Sequence, residues 1–436
     1  LCVRLQVTPH MAMTRVRFVH AGDLHLDTPF QGISRVAPNI AEALRDASLA
    51  AWDHLVQLVI EREANFLLLA GDIYDGPDRG VRAQLKFYEG LQRLTQSGIQ
   101  TFIVHGNHDP LDGWSAIRDW PSGVTVFGSK KVESGDVIRN NQKLATIHGI
   151  SYAQREVTEN LSRRFHRTPS EGLQIGLLHC NLGNDQEHAP YSPCSVDDLR
   201  LAGMNYWALG HAHRHRVVHS RNPCIAYSGS LQGRSTKPGE DGPKGALIVE
   251  AEDTTITHTE FVALDLVRFV TFELDIASVV DLPSLRRALS ERSEEFQLMH
   301  KERGLLLRVR LFGHGEVHKD LRRMDALEEL LKELRREADG VKPFIWWDSL
   351  IDETSPSLDL DAIRQRNDFS AELLELSAKL QKSTSELRDL IYNGDEPLKR
   401  VGVPRVFDLP EGETDLELLK EAEKIALELL EDELKD

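Results

Sequence analysis

Six short apolar runs set the architecture of this chain before any single residue is considered. They are VRFVHAG (16–22), NFLLLAGD (65–72), TFIVHGNHD (101–109), LATIHG (144–149), LQIGLLHC (173–180) and YWALGHAH (206–213). Each is too short for an ordinary helix, rich in Val, Ile, Leu or Phe, and closed by polar residues, so each reads as a buried strand. Helical patterns at 40–63 and 79–97, with apolar residues three to four apart, separate the first three runs. Strand, helix, strand at this rhythm predicts an α/β domain that begins with parallel pairing. Later strands (CIAYSGS 224–230, GALIVEA 245–251, TITHTEFV 255–262) come with little helix between them. Sheet content therefore grows toward Leu264.

The ends of these runs carry chemistry. The first ends in Asp23 and His25, the second in Asp72 and Asp75, and the third in Asn107, His108 and Asp109. Later runs end at His179 and at His211 and His213, the latter two within the alternating stretch ALGHAHRHR. Open α/β sheets place their sites at the carboxyl ends of their strands. Five separate strand ends thus deliver carboxylates, imidazoles and one amide to a common edge. Glycines precede most of these groups (Gly22, Gly71, Gly106, Gly210) and permit tight turns from strand to loop. A mixed nitrogen and oxygen set suits Mn²⁺, Fe²⁺ or Zn²⁺ and exceeds what one ion needs. Two ions about 3.5–4 Å apart, sharing a carboxylate, would use it fully and form a clamp for phosphate-ester hydrolysis. Any one of these short motifs occurs by chance; five in this order, each behind an apolar run, do not.

With 436 residues, 41% of them hydrophobic and 28% charged, the chain has room for two or three globular domains. It has no apolar stretch near the roughly 18 residues that span a bilayer. The opening LCVRLQVTPHMAMTR lacks the apolar core of a secretory signal, so residues 1–13 are expected to be a disordered leader. Four cysteines (Cys2, Cys180, Cys194, Cys224) in no paired spacing fit a reducing cytoplasm. The net charge of −17 argues at first against a nucleic-acid partner. Yet of 69 acidic and 52 basic residues, 23 and 11 lie from Ile351 onward, so the acidity belongs mostly to the tail.

Residues 266–350 read as a second, smaller unit. VRFVTFELD, GLLLRVRLF and KPFIWWDS are its strands, and helices are expected at about 283–300 and 318–338. A Ser/Pro/Asp-rich link follows (353–361), then two helices, about 368–392 and 414–434, around the connector NGDEPLKRVGVPRVFDLPEGE. Leu373, Leu376, Leu380, Leu387 and Leu390 make one apolar stripe. Leu418, Ala422, Ile425 and Leu429 make another, with Leu419, Ala426 and Leu430 beside it. Such faces must bury against each other or against a partner.

The order D-x-H, GD-x-x-D, GNHD, a strand-end His, then GH-x-H resembles the signature of the calcineurin-like metallophosphoesterases, over about residues 14–250. VRFVHAGDLHLDTPFQG, LLLAGDIYDGPDR, IVHGNHDP and AYSGSLQGRS resemble in particular the bacterial SbcD and YhaO-like DNA repair exonucleases. The resemblance implies a four-layer αββα sandwich (14–265), a small α/β capping domain (266–350) and a C-terminal helical extension (351–436) that binds an SbcC-like coiled-coil ATPase. It also implies a homodimer. Carried over, one metal ion takes Asp23, His25, Asp72 and His213. The other takes Asp72, Asn107, His179 and His211, with Asp72 bridging. His108 becomes the catalytic proton donor to the leaving 3′-oxygen, and Asp109 its orienter. Archaeal and eukaryotic relatives have a second histidine where this chain has Asp75.

Other polar residues have plainer readings. His215 and His219 lie beyond the family pattern and are expected to be solvated or to touch phosphate. His20, His105 and His148 lie in or near apolar strands, where a hydrogen-bonded core histidine is the expectation. Cys180 should point to the opposite face and pack. Trp346 and Trp347 are expected to pack in the capping region. Arg163, Arg164, Arg167, Arg214, Arg216 and Arg234 are the densest basic positions and could track a DNA backbone, though a solvated loop explains them equally well. The combined reading is a cytoplasmic, Mn²⁺-dependent DNA nuclease subunit, a 3′→5′ exonuclease with single-strand endonuclease activity as a further option. The alternatives are a phosphodiesterase or phosphatase for a small substrate, and a non-catalytic scaffold that binds DNA ends.

Overall fold

The computed structural model of the chain describes residues 14–28, 38–76, 80–183, 190–237, 239–356, 360–383, 385–387 and 415–433. The leader expected at 1–13, Leu390, and the connector after residue 392 lie outside them. The chain divides into two compact units. One comprises residues 1–272, 293–308 and 335–349; the other comprises 273–292, 309–334 and 350–436.

Two six-stranded sheets form the first unit. One contains β1 (Arg15–Ala21), β2 (Phe66–Ala70), β3 (Gln100–Val104), β4 (Val124–Val126), β11 (Gly245–Glu252) and β12 (Thr255–Ala263), in the order β12-β11-β1-β2-β3-β4. The other contains β5 (Glu133–Arg139), β6 (Gln142–Gly149), β7 (Leu173–His179), β8 (Tyr206–Gly210), β9 (Arg216–His219) and β10 (Cys224–Tyr227), in the order β5-β6-β7-β8-β10-β9. β1, β2, β3 and β4 pair in parallel, as do β6, β7, β8 and β10. Within each set, carboxyl ends therefore share one edge.

Strand alternation builds three apolar layers. Phe18, Phe66, Leu68, Phe102 and Val104 from the first sheet meet Ile147, Ile175, Leu177, Tyr206 and Ala226 from the second in a buried core between the sheets. Their neighbours Val19, Leu67, Leu69 and Ile103 point the other way. There they meet Trp52, Leu55 and Val59 of α1 (Pro38–Glu61) and Phe87, Leu91 and Leu94 of α2 (Val81–Gln96). On the outer face of the second sheet, Trp207 and Leu209 pack against Leu161, Phe165 and Leu199. Leu199 belongs to α3 (Val196–Leu201), which opens on a capping box between Ser195 and Asp198. The result is the αββα layering expected of the sequence. The short strands β4, β5 and β9 carry no comparable sequence signal. Only Val137 of β5 is buried, so its sequence lacks the apolar run that marks the others.

The strands β13 (Val267–Asp275), β14 (Gly304–Gly315) and β15 (Ile345–Pro356) form a three-stranded sheet. Each begins in the first unit and ends in the second. α4 (Leu282–Met299) joins the first two strands. The helix expected at 318–338 is instead α5 (His318–Leu321) and α6 (Ala326–Glu337), parted at Asp325, whose φ of 63° is left-handed and cannot continue a helix. β15 runs to Pro356, into the segment read from sequence as a link. Trp347 is buried, and Trp346 packs beneath the Arg335 guanidinium at 4.3 Å, so both tryptophans pack.

In the second unit, α7 (Leu360–Arg364), α8 (Phe369–Leu380) and α9 (Asp415–Glu433) form a small helical cluster. Ile363, Leu374 and Leu427 make one buried contact; Leu380, Leu387 and Leu419 make another. The buried faces differ from the stripes expected. Leu374 is buried while Leu376 is 53% exposed, and Ile425 and Leu429 are 52% and 65% exposed. Both helices are apolar on more than one face, and sequence periodicity alone does not say which face the hairpin closes on.

Candidate metal centre

Each proposed ligand sits at or just past the end of a buried strand, and several sit in unusual backbone. Asp23, His25, Asp72 and His211 have φ of 49°, 43°, 50° and 107°. Non-glycine residues seldom hold this region unless the surroundings impose it, and such strain concentrates at functional sites. The amides hold the turns: His211 N donates to both oxygens of Asp23 at 3.0 Å, and His108 N donates to Asp72 Oδ1 at 2.9 Å. Gly106 is required here, because a Cβ at this position would run into Asp72 Oδ1 and the His179 ring.

The donor atoms fall into two adjoining groups. His25 Nε2 and His213 Nε2 lie 3.2 Å apart, and Asp23 joins them. Imidazole nitrogens about 2.0–2.1 Å from one ion, at tetrahedral to octahedral angles, lie about 3.0–3.4 Å from each other. The observed separation fits two ligands of a single ion. In the second group, His179 Nε2 lies 2.9 Å from Asn107 Oδ1 and 3.5 Å from Asp72 Oδ2. Asp72 Oδ2 is also 3.8 Å from His25 Nε2, so this oxygen stands between the groups. His211 packs its ring 5.2 Å from that of His179 and 5.9 Å from that of Tyr191. It is not part of the tightest groupings of donor atoms among the described residues.

Electrostatics match this donor set. Burial, followed by the charge of Asp72, pushes the Asp23 carboxyl well above the usual carboxylate range. Two buried acids side by side are costly unless a cation joins them. Burial, then the charge of Arg234, holds His25 well below the usual histidine range, and burial lowers His213. Both are thereby kept neutral, the form in which imidazole binds metal. The outer nitrogens are also fixed. His179 Nδ1 contacts the Ala70 carbonyl at 2.9 Å, and His213 Nδ1 contacts Glu240 Oε1 at 2.6 Å. Such contacts leave Nε2 as the ligand atom.

His108 differs from the histidines around it. Its side chain is 29% exposed, against 1% for His25 and 0% for His179. Burial pulls its pKa down, but the contact with Asp75 and the charges of Asp72 and Asp75 outweigh this and raise it. Asp109 faces elsewhere. Its carboxylate accepts from Gly106 N and Ile73 N at 3.0 Å and lies 2.9 Å from His105 Nδ1, while Asp75 Oδ1 lies 3.2 Å from His108 Nδ1.

The remaining polar residues fall as follows. His20 contacts Tyr206 and the Leu209 carbonyl, and His148 contacts Ser134 and Gln174. His215 stacks on Phe261, and His219 contacts Pro223 and Arg200. Cys180 is buried with its sulfur 3.7 Å from that of Cys194. Of the basic positions, Arg163 pairs with Asp198 and Arg164 with Glu159, and Arg167 donates to Gly203 O and Asn205. Arg214 is exposed, and Arg216 is exposed beside the Tyr227 ring. Arg234 is only 19% exposed and pairs with Asp75 at 2.5 Å, at the metal centre itself. Glu240 and Lys244 escape a reading of the sequence. Lys244 Nζ donates to the His213 carbonyl at 2.8 Å. Nothing in the spacing of KPGEDGPKG links it to a histidine 27 residues before Glu240.

The comparisons with known proteins agree with this geometry. The calcineurin-like phosphoesterase family model matches residues 16–215, and that of the YhaO metallophosphoesterase middle domain matches 269–355. Over 351 residues the chain is 32% identical to the uncharacterized metallophosphoesterase YhaO of Bacillus subtilis, covering 80% of this chain and 84% of that one. It is 26% identical over 254 residues to the DNA double-strand break repair protein Mre11 of Sulfurisphaera tokodaii, covering 55% and 60%. It is 23% identical over 251 residues to a subunit of the SbcCD nuclease of Bacillus subtilis, covering 49% and 61%. The chain thus spans about three fifths of these two nuclease relatives. On its sequence, its layered fold and its converging carboxylates and imidazoles, the chain belongs to the calcineurin-like metallophosphoesterases.

Proposed function

We propose that this metallophosphoesterase is a two-metal DNA nuclease subunit, a Mn²⁺-dependent 3′→5′ exonuclease that works in the cytoplasm with an SbcC-like ATPase. The observation that carries the two-metal reading is Asp72 Oδ2, placed between His25 Nε2 and His179 Nε2. Asp23, His25 and His213 would hold one ion, Asn107, His179 and His211 the other, and Asp72 both. Bound there, divalent ions would acidify water and neutralise charge on phosphoryl oxygens. The chain's own residues do the rest. Glu240 keeps His213 oriented. His108, the most open histidine of the centre, donates its proton to the leaving oxygen.

DNA as the substrate rests on the similarity to Mre11 and to the SbcCD nuclease, and on the additional units beyond the catalytic sandwich, which a small substrate would not require. The exposed Leu376, Ile425 and Leu429 of the tail helices offer a docking face for the ATPase. An open groove between α1 and α2, with exposed Val81 and Leu85, offers a face for a second copy. Among the described residues no helix is long and apolar enough to cross a membrane. One observation favours a small phosphodiester instead: Arg163 and Arg164 are already paired with acids, which weakens a backbone-tracking patch. Incubation with Mn²⁺ and end-labelled duplex, hairpin and circular DNA, beside a chromogenic phosphodiester, separates the two. Shortening of labelled ends supports the nuclease. Turnover of the chromogenic ester alone supports the small-substrate enzyme.

A further inference from the structure

The segment 228–244 connects β10 to β11 with no strand or helix of its own among the described residues. Connections longer than about 12–15 residues without secondary structure are uncommon inside a compact domain and usually functional. Two sets of contacts hold this one. Toward the metal centre, Arg234 pairs with Asp75, Glu240 contacts His213 Nδ1, and Lys244 Nζ donates to the His213 carbonyl. Arg234 N also donates to Glu240 Oε2 at 3.3 Å. Toward the three-stranded sheet, the buried Gln232 side chain donates to the Val267 carbonyl at 2.6 Å. It accepts in turn from Leu266 N at 2.9 Å and Val267 N at 3.2 Å. Gly242 N donates to the Phe269 carbonyl at 2.9 Å. A Cβ on Gly233 would stand 2.8 Å from the Glu240 carbonyl and 2.9 Å from the Phe269 ring, so the segment is packed tightly there.

Thr236 lies between Arg234 and Glu240, and a side chain of the sheet reaches it. Arg308 of β14 donates from Nη1 to the Thr236 carbonyl at 3.0 Å and from Nη2 to Thr236 Oγ1. Its Nε donates to Ser349 Oγ and its Nη2 to Asp348 Oδ2, both on β15 and both at 3.1 Å. A planar guanidinium with five donors suits a joint of this kind, which ties two strands to one loop. We propose that Arg308 is a positioning residue for the metal ion read at Asp23, His25 and His213. It anchors the segment to the three-stranded sheet and so keeps Glu240 on His213. The inference rests on reading His213 as a metal ligand. A group that orients a ligand must itself be held to within about 0.5 Å, and a loop without regular structure does not supply that alone. Released from Arg308, the stretch around Thr236 regains backbone freedom, and Glu240 spends less time on Nδ1.

The test titrates the full, chelator-stripped chain with Mn²⁺ in a calorimeter. Arg308→Met keeps the apolar stem and removes the donors. It should raise by about 10-fold the dissociation constant that Glu240→Gln also raises, a size expected of residues acting at one remove. The other constant should change by under about 2-fold. In the Glu240→Gln background, Arg308→Met should add under about 2-fold, because both act on one contact. Arg308→Lys should recover part of the loss, since an ammonium can still donate to the Thr236 carbonyl. Without metal, hydrogen exchange of amides in 231–242 should quicken in Arg308→Met, while those of β7 and β8 keep the parent rates. Thr236→Ala removes one acceptor from the loop side and should raise the same constant by about 4-fold. It carries the test if Arg308→Met does not fold. Equal weakening of both ions, full additivity with Glu240→Gln, or unchanged exchange in 231–242 would each overturn the proposal. If Glu240→Gln weakens one ion while Arg308→Met and Thr236→Ala weaken neither, only the role of Arg308 fails. If Glu240→Gln weakens neither ion, the reading of His213 fails and this proposal with it.

Discussion

Replacing Glu240 by Gln should weaken one metal site and spare the other. Glu240 touches no proposed metal position; it acts through His213, whose Nδ1 lies 2.6 Å from Oε1, with the two side chains 11% and 13% exposed. Burial works against ionisation of Glu240, but the contact with His213 and the charges of His213, Arg234 and Lys244 outweigh it and hold its pKa well below the ordinary value. The ionised carboxylate fixes the tautomer and makes Nε2 a stronger donor. Partners of this kind are worth about 10–100-fold in metal affinity, or about 1.4–2.7 kcal/mol. Glutamine keeps the shape, loses the charge, and can present its amide N–H to His213, which would favour the wrong tautomer. Calorimetric titration of chelator-stripped protein with Mn²⁺ resolves the sites. One dissociation constant should rise by that factor, and the other, set by Asn107 and His179, should change less than about 3-fold. Equal weakening of both sites, or of neither, would refute the chain of reasoning from Glu240 through His213 to a single ion.

Further outcomes follow from the same geometry. Asp72→Ala should lose both ions and all hydrolysis, measured by metal analysis, whereas His108→Ala should keep both ions and lose activity on DNA. Gly90→Ala places a Cβ against the buried Trp52 indole of the neighbouring helix; overpacking of this kind costs about 1–3 kcal/mol and should lower the melting temperature without changing metal content. Deleting residues from 366 onward removes α8 and α9 together, so metal content and basal hydrolysis should survive while capture of the ATPase in a pull-down is lost. Loss of bound metal on that deletion would contradict the modular reading.

The strands and the groups at their ends were legible because both follow short-range rules. An apolar run closed by a glycine and an acid or imidazole marks a strand end without any knowledge of its neighbours, and parallel pairing brings such ends to one edge. The layer behind the ligands obeys no such rule. Glu240 reaches His213 from a Gly/Pro-rich loop, and Arg234 reaches Asp75 across 159 positions, so neither contact leaves a local trace. Asp109 looked like the partner of His108 because it is adjacent in sequence. Folded, its carboxylate closes the turn through Gly106 and Ile73, and the contact with His108 passes to Asp75. The tail shows the same limit: α8 and α9 each carry apolar residues on neighbouring faces, and packing selected Leu374, Leu419 and Leu427 over Leu376, Ile425 and Leu429.

The most direct test is a diffraction experiment on crystals soaked in Mn²⁺, with data collected at the manganese absorption edge. The account predicts two anomalous peaks about 3.5–4 Å apart, the separation of two-metal phosphoesterase sites. One should be bounded by Asp23, His25 and His213, the other by Asn107 and His179, with an Asp72 oxygen between them. A single peak, or a peak among His25, Asp75 and His108 in place of Arg234, would contradict it.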